Sequence, residues 1–251
     1  MYFWKYWRDT RRGVFVYLGL LVLLAILWLY SMYRANRLGH MGGDARTLWI
    51  MELGVTFGLT YLCAVVMSFV AGSHNVGADI GKGTGDFLLS RPRSRKYFVW
   101  AGWMAGVCEL LGLLVFTALF VFALNVGLFG PVWRQLPSPA HVRGLDLPLM
   151  GGTLVLTAGL VYGLTFFLGV LWRSGQRGVI WSVAILFAYS VLSALLRQFE
   201  GISLPTPNLV ELTSYPAGPW YLGLRIEIIG WTLLSLAFPF AAQLVLDRSD
   251  V

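Results

Sequence analysis

Long apolar runs alternate with short polar connections along the whole chain. A membrane-crossing helix needs about 20 consecutive apolar residues, and six runs meet that length or come close to it: 13–33, 47–72, 98–128, 149–172, 179–196 and 221–246. The third is too long for one straight crossing at about 1.5 Å per residue, so it must tilt, extend beyond the bilayer or break. The pattern predicts an all-α integral membrane fold with six transmembrane helices and one domain over 1–251. The first run, at 21 residues, exceeds the roughly 7–15 apolar residues of a cleaved signal peptide and is read as a retained span.

Residues 1–12, MYFWKYWRDTRR, show a different period. At about 100° per residue, Tyr2, Phe3, Trp4, Tyr6 and Trp7 share one face, while Lys5, Arg8, Asp9 and Arg12 share the other. This predicts an amphipathic elbow helix lying in the headgroup plane; the plainer alternative is a basic flank that orients the first span. Residues 130–148 hold four prolines and read as an extracytoplasmic loop. Residues 197–220 hold four more around Leu209–Leu212, as a surface loop or as a short helix re-entering the membrane.

Composition agrees with lipid as the main solvent. The 251 residues are 57% hydrophobic and 12% charged, with mean hydropathy +0.70, where soluble domains carry roughly 25% charged residues. The net charge of +7 sits mainly between apolar runs, which favours membrane lipids over nucleic acid as the partner. Of the Lys and Arg residues, 12 fall on the side of the N-terminus and of segment 73–97, and 7 on the other. The bias predicts a multi-pass protein of the cytoplasmic membrane with both termini cytoplasmic. Cys63 and Cys108 lie within apolar runs and are expected to be small buried packing residues.

Functional chemistry concentrates in the connection between the second and third spans, SHNVGADIGKGTGDFLLSRPRSRK, Ser73 to Lys96. Asp86–Ser90 brings apolar side chains to the membrane surface, Pro92 stops a helix there, and Arg91, Arg93, Arg95 and Lys96 can hold the turn against phosphate headgroups. A short amphipathic helix parallel to the membrane would present a firm knob to a cytoplasmic partner.

The residues Asp79, Gly83, Thr84, Leu88, Leu89, Ser90, Pro92, Ser94 and Arg95, at these spacings, resemble the signature of permease subunits of type-2 ABC exporters. The resemblance extends to the elbow helix, the six spans and the proline-rich connection before the last span. Two positions depart from it: Gly81 stands where a second acid is frequent, and Ala101-Gly102 where a small-Lys pair often opens the third span. It implies that Asp79, Gly83, Thr84, Asp86, Phe87, Leu88, Leu89, Ser90, Pro92, Ser94 and Arg95 form a coupling helix that docks on a separate ATP-binding subunit. It also implies pairing with a second copy or a similar permease, export of an amphipathic molecule, and room for an accessory extracytoplasmic protein.

No phosphate loop supports ATP binding by this chain: the position five before Gly81 is Val76, and Lys82 is followed by Gly83. HExxH and GxSxG motifs are also missing. The expectation is a non-enzymatic subunit without cofactor, with ATP and Mg held by the partner. Glu109 is the deepest intramembrane acid, suited to a substrate path, a subunit interface or a buried pair. Glu52 and Glu227 lie near predicted span ends and read as structural. The pairs Gly54/Gly58, Gly102/Gly106 and Gly159/Gly163 offer close helix packing. Two rival readings remain: an ion-coupled transporter or channel using Glu109, and a scaffold that transmits ATPase motion without a substrate.

Overall fold

The computed structural model describes residues 45–74, 76–81, 95–133, 146–199, 204–205 and 220–248, together with individual helical positions between 15 and 33. Among the described residues every regular element is a helix: α1 (Ala45–Ser73), α2 (Val76–Gly81), α3 (Arg95–Trp133), α4 (Asp146–Leu171), α5 (Gly175–Phe199) and α6 (Trp220–Arg248). Five of these overlie five of the apolar runs. The elbow segment 1–12 lies outside the described residues.

Four stretches are long and apolar enough to cross a membrane: Lys96–Thr117, Gly151–Leu171, Gly175–Phe199 and Ile228–Arg248. Thr60–Ser73 adds a shorter apolar stretch within α1. Two of them, in α5 and α6, leave most of their apolar surface outside the bundle. α5 buries only Gly175, Gly178 and Ser182, while Ile180, Phe187 and Phe199 are 65%, 69% and 77% exposed. A soluble protein rarely leaves so much contiguous apolar surface open to water, so the arrangement is compatible with a membrane-embedded protein.

α4 is the central helix and packs against each of the other five. α3 turns an inward stripe of Val99, Trp103, Gly106, Glu109 and Leu110 toward it, while Met104, Cys108, Leu111 and Val115 face outward. Trp103, Tyr162 and Phe166 form an aromatic cluster, with Trp103 centred 4.8 Å from Tyr162 and 5.4 Å edge-on to Phe166. Such pairs add about 0.5–1.5 kcal/mol beyond their area burial. Trp100 donates to Gln243 Oε1 at 3.2 Å and meets Phe240 edge-on, joining α3 to α6. Tyr17, buried, donates to the Leu113 carbonyl at 2.7 Å and so ties the N-terminal helical positions to α3.

These contacts give the helices a common end. Ser73 meets Gly175, Gly77 meets Gly169, and Trp100 meets Gln243, so α1, α4 and α6 finish where α3 and α5 begin. Lys96, Arg173, Arg177 and Arg248 all lie at this end.

Candidate functional site

The sequence predicts a cytoplasmic connection over 73–97 with a short amphipathic helix at the membrane surface. Its first part packs into the bundle as α2. α2 buries Val76, Gly77 and Ile80, and Val76 and Ile80 share a core with Phe98 and Val99 of α3 and Val170 of α4. The close approach depends on glycine. A Cβ at Gly77 would land on the Gly169 carbonyl, one at Gly175 on the Ser73 carbonyl, and one at Gly81 on the Arg173 carbonyl. Only backbone without side chains permits helices this near to each other.

The α4–α5 corner that receives α2 is equally determined. Ser174 N donates to Gly169 O at 3.0 Å and Arg173 N to Val170 O at 3.2 Å. This is the Schellman pattern, and its left-handed position, usually glycine, is occupied by Arg173 with φ 48°. Ser174 then begins α5: its Oγ accepts from Arg177 N at 3.4 Å, an N-cap satisfying one of the orphan donors of the first turn. One residue thus closes one helix and opens the next. Trp172 and Trp181 stack across the corner, 5.8 Å apart and 11° from parallel.

Of the predicted docking residues, Asp79 lies half-buried on α2 and Arg95 is the first residue of α3. Gly83, Thr84, Asp86, Phe87, Leu88, Leu89, Ser90, Pro92 and Ser94 lie outside the described residues. The attachment point of 82–94 at Gly81 is therefore held, since α2 packs against α3, α4 and α5.

Glu109 is 5% exposed in the α3–α4 interface, within electrostatic reach of Tyr162. It stands 14 residues into α3, roughly 20 Å along its axis. The Tyr162 hydroxyl donates to the Trp103 carbonyl at 3.1 Å, with the Gly102 carbonyl at 3.5 Å, and its ring fills the space that the absent Gly106 side chain leaves. Most surrounding hydroxyls satisfy themselves along their own helices: Ser68 to Ala64 O, Thr165 to Val161 O and Ser182 to Gly178 O, each at 2.7–2.8 Å. Thr157 Oγ1 is buried without a partner among the described residues.

Two of the glycine pairs act within this chain. Gly102/Gly106 face Tyr162, and Gly163 lies under Phe238 and Trp103. Gly58 has nothing within 4 Å of a Cβ position among the described residues, and the side-chain surroundings of position 54 lie outside the description. Glu52 and Glu227 are helical, with side chains likewise outside it. Cys63 is buried as expected, but Cys108 is exposed, because it falls on the outward stripe of α3. Among the described residues no group of His, Cys, Asp and Glu could hold a metal ion.

Residues 22–251 match the model of a family described as protein of unknown function, DUF2705. The chain belongs to this family. No curated protein and no solved structure matches it. The matched span in this DUF2705 protein takes in α1 to α6, the glycine corner and segment 82–94.

Proposed function

We propose that this chain is the permease subunit of an ATP-driven exporter of the type-2 ABC class, and that segment 79–95 is where it docks on a separate ATP-binding subunit. The spans would be six, formed by α1, α3, α4, α5, α6 and the N-terminal helical positions, preceded by the elbow helix. Both termini would be cytoplasmic, on the basic end that carries Lys96, Arg173, Arg177 and Arg248.

One observation carries the reading furthest. The segment with the docking residues grows out of α2, which is wedged by Gly77 and Gly81 onto the backbone of α4 and of the α4–α5 corner. A push on 82–94 would reach α4 and its corner with α5 through these two backbone contacts, beside the core packing of Val76 and Ile80. Coupling of ATP hydrolysis to transport needs such a stiff linkage. A free-standing positive loop would not.

ATP and Mg would then belong to the partner, and this chain would supply the substrate path and the coupling surface, paired with a second copy or a similar permease. Glu109 fits a structural role better than a hydrated ion relay, because it is enclosed between α3 and α4 beside Tyr162. The test is co-purification from membranes with the ATP-binding subunit, comparing wild type with Phe87/Leu88/Leu89→Asp. Retention by wild type and loss by a variant that still inserts supports docking. Equal retention by both rejects it, and absence of any ATPase with wild type favours an ion-driven transporter.

A further inference from the structure

We propose that the α4–α5 corner binds the anionic headgroup of a phospholipid in the adjoining leaflet, with Arg173 and Arg177 supplying charge and the stacked Trp172 and Trp181 supplying an apolar platform. The inference rests on membrane embedding and not on an ATPase partner.

Depth is the first argument. Between Arg177 and Arg197 α5 carries no charged residue, and these 20 positions measure about 30 Å along a helix, the thickness of the hydrocarbon core. Arg177 therefore sits at the headgroup level. Trp181 lies on the same face one turn deeper, about 6 Å on, at the boundary where indole rings settle. Below it the exposed surface is apolar, with Val183, Ile185 and Phe187.

Charge is the second argument. Arg173 and Arg177 are exposed, and neither guanidinium makes an ion pair among the described residues. Two exposed guanidiniums without an acidic partner among the described residues, beside an apolar platform, fit a phosphodiester whose acyl chains run down α5, because guanidinium matches phosphate geometry and stacks on aromatic faces. Trp172 and Trp181 are 43% and 48% exposed, open at the level where a lipid glycerol would lie. An acidic protein segment would meet the charges but would have to enter the acyl boundary to use the indoles. The placement of Arg173 agrees: it holds a left-handed position where glycine costs less, and it keeps a cation there.

The probe is 1-palmitoyl-2-oleoyl-phosphatidylglycerol titrated into the purified full-length protein in zwitterionic detergent, with the phosphatidylcholine analogue as reference, bound lipid being counted by native mass spectrometry. Wild type should retain phosphatidylglycerol at roughly 10- to 30-fold lower concentration than phosphatidylcholine, as two basic groups at a membrane surface imply. Arg173→Asn/Arg177→Gln should lose that preference and keep its lipid-free melting temperature, since Asn tolerates the left-handed turn. Arg177→Gln alone, on an exposed helix face, should lose part of it without burdening the fold. A preference unchanged in the double variant overturns the proposal. Protection by millimolar inorganic phosphate equal to that by the lipid would reassign the corner as a plain anion site. Displacement of the lipid by a bound ATP-binding subunit would reassign it to a protein partner.

Discussion

Gly77 of α2 lies against the backbone of Gly169 in α4 with no room for a side chain between them. The contact holds α2 against α4, so the smallest enlargement should be felt. Gly77→Ala forces one backbone off another, and overpacking of this kind costs about 1–3 kcal/mol. A lowered melting temperature of the purified protein in detergent is the expected result. Gly112→Ala, where a Cβ meets nothing within 4 Å among the described residues, should be neutral or slightly stabilising, because alanine favours a helix interior over glycine. Equal melting of Gly77→Ala and wild type would mean that α2 is not wedged.

Tyr162 and Gly106 form a second fitted pair. Tyr162→Phe keeps the aromatic cluster and removes the hydroxyl donated to the Trp103 carbonyl, at about 1 kcal/mol. Gly106→Ala pushes into the Tyr162 ring and should cost more, about 1–3 kcal/mol. Because it displaces the ring that makes the hydrogen bond, the double variant should lose less than the sum of the singles. Strict additivity in detergent melts would show that the two sites do not touch.

How much of this was legible in the sequence follows from what each signal encodes. The apolar runs placed α1, α3, α4, α5 and α6 within a few residues, because length and hydropathy are all that a long apolar helix requires. The glycine spacing at 102/106 and 163 found real close approaches, since small residues at one-turn intervals are the condition for them. The corner was not legible. Gly77, Gly81 and Gly175 sit in polar-looking connections, where glycine ordinarily signals a turn, and their role exists only once α4 and α5 are beside them. Gly81 is instructive: it stands where the resembled permeases often carry an acid, and a side chain there would strike the Arg173 carbonyl. Cys108 was expected to be buried from its apolar neighbours. Its exposure depends on the helix face, which a run apolar all round does not reveal.

Arg173 supplies a stability prediction of opposite sign. Its left-handed backbone, φ 48°, is strained for any residue with a Cβ, by roughly 1–2 kcal/mol. Arg173→Gly should therefore raise the melting temperature in zwitterionic detergent. In phosphatidylglycerol-containing nanodiscs the gain should shrink, because the variant also gives up a headgroup contact. A lower melting temperature in detergent would show that the side chain, not the backbone, stabilises the corner.

Glu109 discriminates between transport readings. As an interior group beside Tyr162 it should accept Glu109→Gln with little change in assembly or ATP-driven transport, since the amide keeps the shape and two hydrogen-bonding groups. Glu109→Lys should fail to assemble, because it places an ammonium in an enclosed interface. Loss of transport in Glu109→Gln with intact assembly would instead put the carboxylate on the path.

The most direct test of the central claim is side-specific labelling of a single cysteine at position 90. Ser90→Cys is introduced into a chain with Cys63→Ala and Cys108→Ala, and a membrane-impermeant maleimide is applied to right-side-out and inside-out vesicles. The account predicts labelling from the cytoplasmic face only, and protection there when the ATP-binding subunit is bound. Labelling from the outer face, or cytoplasmic labelling indifferent to that subunit, would contradict it.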